Sequence, residues 1–550
     1  MKYALRAFCL SAVSLVLALA PARAQTVSPP EILGTLVGPG ATHLPAGVGF
    51  YGADLGWTFV HRGEQQILFG DTWATARSVC NGVPTHDDSQ GTIPLRPPGD
   101  AVPSVVFTTQ KSDPTQLSHL FVYRDGESLS MGYGQVPITA YSDGDHAVGI
   151  FGRGDFVRCE PPSPGAEPAC TPPREDRHAV LDSATGGGLR CEQSVGECLP
   201  LLQGIDSLCD LGTKAGCLPT QTCTPATGYC VDPTSSQNDG RPETAPLLVA
   251  HKIDFGFQDP DDPTTYRSVA TWRTNKFLNL TARTVRRFAF GPRGNDYRPG
   301  GGALLVFGRP GYVAEQGREA RLYLMVHALP MKLDASGHAR FRPWFYAGVN
   351  PKTGWPRWTP LESKAQPLAM DGVVGGDPHE PYPIVAQLAV SYVGEPIKKW
   401  VLLYGGDVND FGLIDPAHAR PGPVPGAMQL RFADHPWGPW SPPQPHLGPG
   451  SPDAPGTPYG PGGVLYHYAC VDQPGAPCAR TDPSRPFDAF LPGCPSVSAG
   501  FDIGRFYGAN IIDAWTRPDG HGGVDMLWNA STWNPYAVIL LKTNLRPERR

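Results

Sequence analysis

Glycine and proline are so frequent along this chain that they limit the secondary structure it can form. The sequence holds 65 glycines and 62 prolines in 550 residues, roughly twice their usual share. Both residue types interrupt helices and favour turns, which excludes a long helical bundle or a coiled coil. Because 40 % of the residues are hydrophobic and 10 % are aromatic, the chain is also not a disordered one. These features indicate a globular, turn-rich, all-β protein.

Short apolar runs bounded by turn residues recur along the chain, as expected for β-strands. They are rich in Val, Phe, Tyr and Leu, and they fall in close pairs with long loops between the pairs. Repeated antiparallel hairpins of this kind predict either a β-propeller or a large β-sandwich, and we favour the propeller. Examples are the segments 104–108, 303–307, 400–404 and 538–541.

The first 24 residues have the pattern of a secretion signal. Lys2 and Arg6 give a positive start, residues 7–20 form an apolar run, and residues 22–24 read Ala-Arg-Ala, a small-x-small cleavage pattern. The apolar run is too short for a transmembrane helix, and no later stretch is long enough, so we expect no membrane span. We therefore predict a secreted or periplasmic, monomeric protein whose main domain covers residues 25–550.

Charge and motif content exclude several classes of protein. The 45 basic and 51 acidic residues give a net charge of −6 without a basic block, which argues against a nucleic-acid partner and suits a neutral substrate. The sequence has no Gly-x-Ser-x-Gly, no His-Glu-x-x-His and no P-loop. We expect neither a cofactor nor a metal.

Twelve cysteines follow the signal, an even number that predicts disulfides in an oxidising compartment. Eight of them lie between Cys159 and Cys230. The alternative of a zinc ribbon lacks any Cys-x-x-Cys and any paired histidine. We interpret residues from about 158 to 245 as an insertion, rich in Gly, Pro and Thr, that is held together by disulfides and interrupts the main domain.

One predicted hairpin carries an aspartate on each of its two strands, at its open end. Two apolar runs flank Arg62-Gly63, and glycine allows the tight turn that a hairpin needs. If His61 faces Glu64 across this turn, the register places Asp54 directly opposite Asp71. Cross-strand Cβ atoms of such a pair lie about 4.5–5.5 Å apart.

A carboxylate pair of this kind suits the cleavage of a glycosidic bond. The two charges repel, so one aspartate is expected to keep its proton to a higher pH than the other. A carboxyl separation of about 5–5.5 Å further indicates retention of anomeric configuration through a covalent intermediate. Two alternatives stay open: in the first, both are turn or strand-end aspartates hydrogen-bonded to the backbone, and in the second, a single β-bulge moves one of them to the other face.

Aromatic and polar residues near the expected strand ends are candidates for sugar binding. Flat apolar rings stack on the C–H face of a sugar, while Asn and Tyr bond its hydroxyls. The alternative for the aromatic residues is packing between blades, and for His146 a place in a loop turn. The candidates are Trp57, Trp73, His146, Tyr507, Asn510, Trp533, Asn534 and Tyr536.

Two motifs in this hairpin, Gly52-Ala-Asp-Leu-Gly-Trp57 and Ile67-Leu-Phe-Gly-Asp-Thr-Trp73, resemble the opening of a known family. That family is catalogued as domain of unknown function 4185 and is now grouped as glycoside hydrolase family 183, the endo-D-arabinanases. Segments 430–441 and 531–536 fit it as well. The resemblance implies a five-bladed β-propeller with the active site at its axial mouth.

By the same resemblance, Asp71 would be the nucleophile and Asp54 the acid/base. The resulting hypothesis is a secreted retaining glycoside hydrolase that cuts a furanose-containing polysaccharide, D-arabinan, from within. A second hypothesis is a non-catalytic carbohydrate- or surface-binding propeller that makes contact through its cysteine-rich insertion. A third is a glycosidase or lyase for another polymer that uses the same two aspartates.

Overall fold

A computed structural model describes most of residues 25–547 of the chain. The predicted secretion signal and most of the cysteine-rich insertion lie outside the described residues. No helix in the described part is long and apolar enough to cross a membrane. Apart from gaps of one or two residues, the segments left out are 1–24, 42–49, 74–86, 130–136, 154–188, 193–196, 201–221, 224–229, 232–250, 291–301, 310–321, 371–387, 406–427, 448–505, 533–536 and 548–550.

The described residues are almost entirely β-structure, with two single-turn 3-10 helices at Glu362–Lys364 and Asp513–Trp515. The strands are β1 (Thr26–Val27), β2 (Glu31–Val37), β3 (Gly52–His61), β4 (Glu64–Trp73), β5 (Asp87–Ile93), β6 (Val106–Phe107), β7 (Phe121–Arg124), β8 (Glu127–Leu129), β9 (Pro137–Ser142), β10 (Ala147–Arg153), β11 (Leu189–Glu192), β12 (Glu197–Pro200), β13 (Thr222–Cys223), β14 (Cys230–Val231), β15 (His251–Gln258), β16 (Thr265–Thr274), β17 (Asn279–Val285), β18 (Gly302–Arg309), β19 (Tyr323–Leu329), β20 (Trp344–Val349), β21 (Pro356–Thr359), β22 (Leu388–Val393), β23 (Lys399–Gly405), β24 (Met428–Ala433), β25 (Gln444–Leu447), β26 (Phe506–Ile511), β27 (Arg517–Pro518), β28 (Val524–Thr532) and β29 (Ala537–Arg546).

Five sheets of these strands form the blades of a β-propeller, which confirms the predicted five-bladed fold. In order around the ring, their strand paths from the axis outward are β3-β4-β5-β6, β9-β10-β15-β16-β7-β8, β17-β18-β19-β20-β21, β22-β23-β24-β25 and β26-β28-β29. The innermost strands are β3, β9, β17, β22 and β26, and each contacts the next so that the ring closes from β26 back to β3. Strands β11–β12 and β13–β14 form two separate hairpins within the segment predicted as an insertion.

The core lies between the blades, and β18 shows why a central strand here is apolar on both faces. Alternate residues of a strand point to opposite faces of its sheet. Leu304 and Val306 pack with the second blade, in a cluster that includes Phe255. Leu305 and Phe307 pack instead with the fourth blade. Burial of each such side chain contributes about 1.5–3 kcal/mol, so the blades are stabilised mainly by contact with their neighbours.

The two ends of the described chain meet in the fifth blade. Strands β1 and β2 both pair antiparallel with β29, outside the C-terminal hairpin. An ion pair reinforces the junction, with Lys542 Nζ 2.6 Å from a carboxylate oxygen of Glu31. The N-terminal strands therefore close the ring by completing the last blade.

A buried histidine joins the fourth and fifth blades and should make stability depend on pH. His446 Nε2 lies 2.6 Å from Thr543 Oγ1, which also accepts a hydrogen bond from Trp528 Nε1. Either His446 or Thr543 can donate in the first of these bonds, so a neutral imidazole satisfies it. Burial lowers the pKa of His446 from 6.5 to about 3.

We expect the free energy of unfolding to fall as the pH drops below 6.5. Below this pH the unfolded chain binds a proton at His446, whereas the folded protein does not. The free energy of unfolding therefore falls by up to about 1.4 kcal/mol per pH unit. Above pH 6.5 both states are neutral at His446 and the effect vanishes. The His446→Asn variant should be less stable than the parent at pH 8. Between pH 6.5 and 4, however, its free energy of unfolding, measured with urea, should decline less steeply than that of the parent. Equal slopes for the two proteins would contradict this assignment.

Candidate active site

Asp54 and Asp71 lie together at the end of the ring where β3 begins and β4 ends. The hairpin register runs as predicted from His61 opposite Glu64 up to Trp57, and then shifts by one residue. Asp54 consequently pairs with Gly70, so the prediction that the two aspartates stand directly opposite each other is wrong. Asp71 directly follows this partner along β4, and its charge raises the pKa of Asp54.

A β-bulge at Leu55 and Gly56 causes the shift in register. Both residues have positive φ angles, 65° and 75°, and an extra residue of this kind re-aims the side chains beside it. A left-handed leucine costs about 1–2 kcal/mol, so the surrounding structure must hold it in place.

Polar side chains of the fifth blade supply that support. Asn510 and Asn529 are Cα partners on β26 and β28, both fully buried, and each donates from Nδ2 to the Gly56 carbonyl, at 3.1 and 2.9 Å. The Leu55 amide donates to Ser531 Oγ at 2.6 Å. The bulge that carries Asp54 is thus fixed from a neighbouring blade.

Asp54 is buried, with 5 % of its surface exposed. Tyr507, at the start of β26, donates its hydroxyl to Asp54 Oδ2 at 2.5 Å. The other carboxylate oxygen, Oδ1, has no hydrogen-bond partner among the described residues. Burial raises the pKa of Asp54 well above its ordinary value, the Asp71 charge raises it further, and the hydrogen bond from Tyr507 lowers it in part.

Asp71 is half-buried and sits on strained backbone. Its φ angle is 35°, in the left-handed region, and its amide donates to Asp88 Oδ1 at 3.1 Å. Among the described residues, four other than glycine have positive φ: Arg62 and Lys398 lie in hairpin turns, while Leu55 and Asp71 lie at the aspartate pair. Such strain away from turns is typical of functional sites.

Trp57 and Asn510, two of the predicted sugar-binding residues, have structural surroundings instead. Trp57 is 2 % exposed and packs between the first and second blades with Phe151 and Tyr266, which follows the alternative of packing between blades. Asn510 holds the Gly56 carbonyl, as described above. Neither side chain presents a face to a ligand.

His146 lies at the opposite end of the ring from the aspartates. It follows β9, whose last residue Ser142 is bonded to His61 at the far end of β3, with Ser142 Oγ and His61 Nδ1 2.9 Å apart. At about 3.3 Å per residue, His61 lies about 20 Å along the strand from Asp54. The His146 ring stacks on Phe257, with 4.1 Å between centroids. β9 therefore carries His146 away from Asp54 and Asp71, and its role in substrate binding stays a prediction.

Of the remaining predicted residues, two lie at the same end of the ring as the aspartates, and three lie outside the described residues. Tyr507 contacts Asp54. Trp73 ends β4, where its backbone pairs with Gly52, and its side chain is outside the described part. Trp533, Asn534 and Tyr536 also lie outside the described residues, between the end of β28 and the start of β29.

Sequence reasoning missed Asp88, Asn529 and Ser531. A signal for two of them was present, since Asn529 and Ser531 alternate with apolar residues in a strand that is otherwise buried. Buried polar residues on one face require partners, and here the partner is the bulge of β3. Within the described residues, no group of three or more His, Cys, Asp or Glu is arranged to hold a metal ion.

Comparisons of this chain with known proteins found no match. No protein-family model matches it, and no curated protein is similar to it in sequence.

Proposed function

We propose that the chain is a secreted retaining glycoside hydrolase that cuts a furanose-containing polysaccharide, D-arabinan, from within. The observation that carries the proposal is the pair formed by Asp54 and Asp71, two neighbouring carboxyl groups in unlike surroundings. Asp54 is buried with a raised pKa, whereas Asp71 is half-buried. Environments that separate two carboxyl groups in this way suit a proton donor beside a nucleophile.

In the first step, Asp71 attacks the anomeric carbon while Asp54 transfers its proton to the leaving oxygen. The glycosidic bond breaks, the leaving sugar departs as an alcohol, and a covalent glycosyl–Asp71 ester remains. A raised pKa lets Asp54 keep its proton to a higher pH than an ordinary aspartate does. Tyr507 donates to Oδ2 of Asp54, whereas Oδ1 has no hydrogen-bond partner among the described residues, so Oδ1 is the oxygen that would carry the transferred proton.

In the second step, Asp54 acts as a base. It takes a proton from a water molecule, whose oxygen attacks the anomeric carbon and releases Asp71 as a carboxylate. Asp54 is protonated again at the end of the cycle. Two inversions at the same carbon leave the sugar with its original configuration.

The identity of the polymer rests on the resemblance of the hairpin motifs at residues 52–57 and 67–73 to the endo-D-arabinanases. The propeller supports this assignment only as a scaffold, because one fold hosts many activities. Secretion rests on the pattern of the first 24 residues, and a polysaccharide outside the cell is a substrate that such an enzyme would meet.

The direct test is to incubate the purified protein with D-arabinan from arabinogalactan, alongside a panel of other glycans. We expect oligoarabinosides, and NMR of the first product formed should show the anomeric configuration of the substrate. Inverted product would contradict the covalent intermediate. No release from any glycan, together with binding to one, would favour the carbohydrate-binding propeller instead.

The hydrogen bond from Tyr507 should be visible in the pH profile. Because this bond lowers the pKa of Asp54, Tyr507→Phe should raise that pKa and move the alkaline limb of kcat/KM to higher pH. We also expect kcat to fall by about tenfold, since the carboxyl group loses one fixed orientation. Measuring kcat/KM from pH 4 to 9 for both proteins checks this. A shift to lower pH would contradict the arrangement.

We further propose that the cysteine-rich insertion is held by disulfides across its hairpins. The backbone register places Cys191 opposite Cys198, and Cys223 opposite Cys230. Directly opposite residues have Cα atoms about 4.5–5.5 Å apart, within the range that a disulfide spans. Peptide mapping without reductant should recover these two pairs. Recovery of either cysteine bound to a different partner would contradict them.

A further inference from the structure

Asp88, near the start of β5, is a third carboxylate beside the proposed catalytic pair. It is 3 % exposed. Its Oδ1 accepts the Asp71 amide at 3.1 Å, and its own carbonyl accepts the Leu120 amide at 3.0 Å, from the segment that leads to the second blade. The residue is therefore anchored on one side and holds Asp71 on the other.

The ladder between β4 and β5 explains why Asp71 needs this contact. Phe69 pairs with Ser89 and Thr72 pairs with Asp87, so two residues of β4, Gly70 and Asp71, face the single residue Asp88. In such a bulge one backbone amide loses its partner in the ladder. The side chain of Asp88 replaces the missing acceptor at the point where the backbone turns left-handed.

We propose that Asp88 is a positioning residue that fixes the nucleophile Asp71 through its backbone amide. This inference rests on the proposed function. The φ angle of 35° at Asp71 directs the carboxylate, and the hydrogen bond from the Asp71 amide to Asp88 maintains it. Displacing a nucleophile by about 1 Å lowers the rate about a hundredfold. The Asp88 carboxylate, which accepts from the Asp71 amide, therefore affects the rate of the chemical step without touching the substrate.

The positioning role makes opposite predictions for two conservative substitutions. Asp88→Asn keeps an acceptor oxygen at the same place and removes the charge, whereas Asp88→Glu keeps the charge and moves the acceptor by one methylene. Positioning predicts that kcat of the Asn variant stays within about threefold of the parent. It predicts that Glu and Ala variants lose about tenfold or more in kcat at little changed KM.

Ser89→Ala serves as the matched control. Ser89 follows Asp88 on β5, and its hydroxyl group bonds that of Thr72 on β4, with 2.7 Å between the two oxygens. Its removal should lower the melting temperature but leave kcat within about threefold. An Asn variant as inactive as the Glu variant would show that the charge is required and overturn the proposal, and so would full activity of the Glu and Ala variants.

A second measurement separates this inference from the proposed function. Hydrogen exchange at the Asp71 amide, followed by NMR, should be at least about tenfold faster in the Glu and Ala variants and unchanged in the Asn variant. This readout holds even if the protein cuts no glycan. Unchanged exchange in the Glu and Ala variants would overturn the role of Asp88, whatever the activity of the protein.

Discussion

Asp71→Asn should reduce kcat on D-arabinan by about a thousandfold or more, which corresponds to about 4 kcal/mol of barrier. The amide has nearly the shape of the carboxylate but is not a nucleophile, so the glycosyl ester cannot form. Asparagine also tolerates positive φ, so the backbone at 35° should persist. Initial rates of oligosaccharide release measure the effect, with circular dichroism to verify the fold.

Azide rescue distinguishes the roles of the two aspartates on an aryl furanoside. In Asp71→Gly, azide occupies the place of the nucleophile and displaces the aryl group once, so the glycosyl azide has inverted configuration. In Asp54→Gly, azide attacks the glycosyl–Asp71 ester and the product keeps its configuration. Asp113→Asn, in an exposed turn where the carboxylate accepts from the Thr115 amide, is the control. Asp71→Asn with more than a third of parental activity would contradict the assigned nucleophile.

Gly56→Ala should cost about 2–5 kcal/mol of unfolding free energy and most of the activity. Its φ angle is 75°, which costs an alanine about 1–2 kcal/mol. An added Cβ would also lie 3.1 Å from Asn529 Nδ2 and 3.2 Å from Val538 Cγ1, and such overpacking costs about 1–3 kcal/mol more. Since the bulge sets the direction of Asp54, relief of this crowding would move the proposed acid.

Gly63→Ala provides a matched control in the same hairpin. Gly63 has a φ angle of 81°, but an added Cβ would meet nothing within 4 Å. It should lose only the backbone contribution of about 1–2 kcal/mol and keep its activity. Urea unfolding and kcat of the two variants give the comparison. Equal losses of stability would show that the bulge has room to relax.

The fold could be anticipated because blade strands are short, apolar and arranged in hairpins. The hairpin register was predicted correctly from the turn up to Trp57, where simple pairing holds. Beyond it, the left-handed bulge at Leu55 and Gly56 depends on Asn510, Asn529 and other side chains far along the chain, which no local pattern reveals. Both aspartates still lie at the end of the hairpin where β3 begins and β4 ends.

The candidate sugar-binding residues show a different limit of prediction from sequence. Trp57 and Asn510 have the chemistry of a ligand site, yet the interblade core uses that chemistry for packing and for holding a carbonyl. His146 lies away from the two aspartates for another reason, because its turn follows the far end of a strand that runs parallel to β3. The residues near a motif show which side chains could take part in a binding site. The direction of each strand determines which of these side chains come into contact.

The support of the Asp54 bulge by strands of the last blade determines when activity can arise during synthesis. The residues that hold the bulge beneath Asp54 belong to β26 and β28, more than 450 positions after it. A ribosome that has completed the aspartate hairpin has therefore made both carboxyl groups without the side chains that orient them. Synthesis must pass residue 531 before the site can assemble, so nascent chains and fragments that stop earlier should be inert.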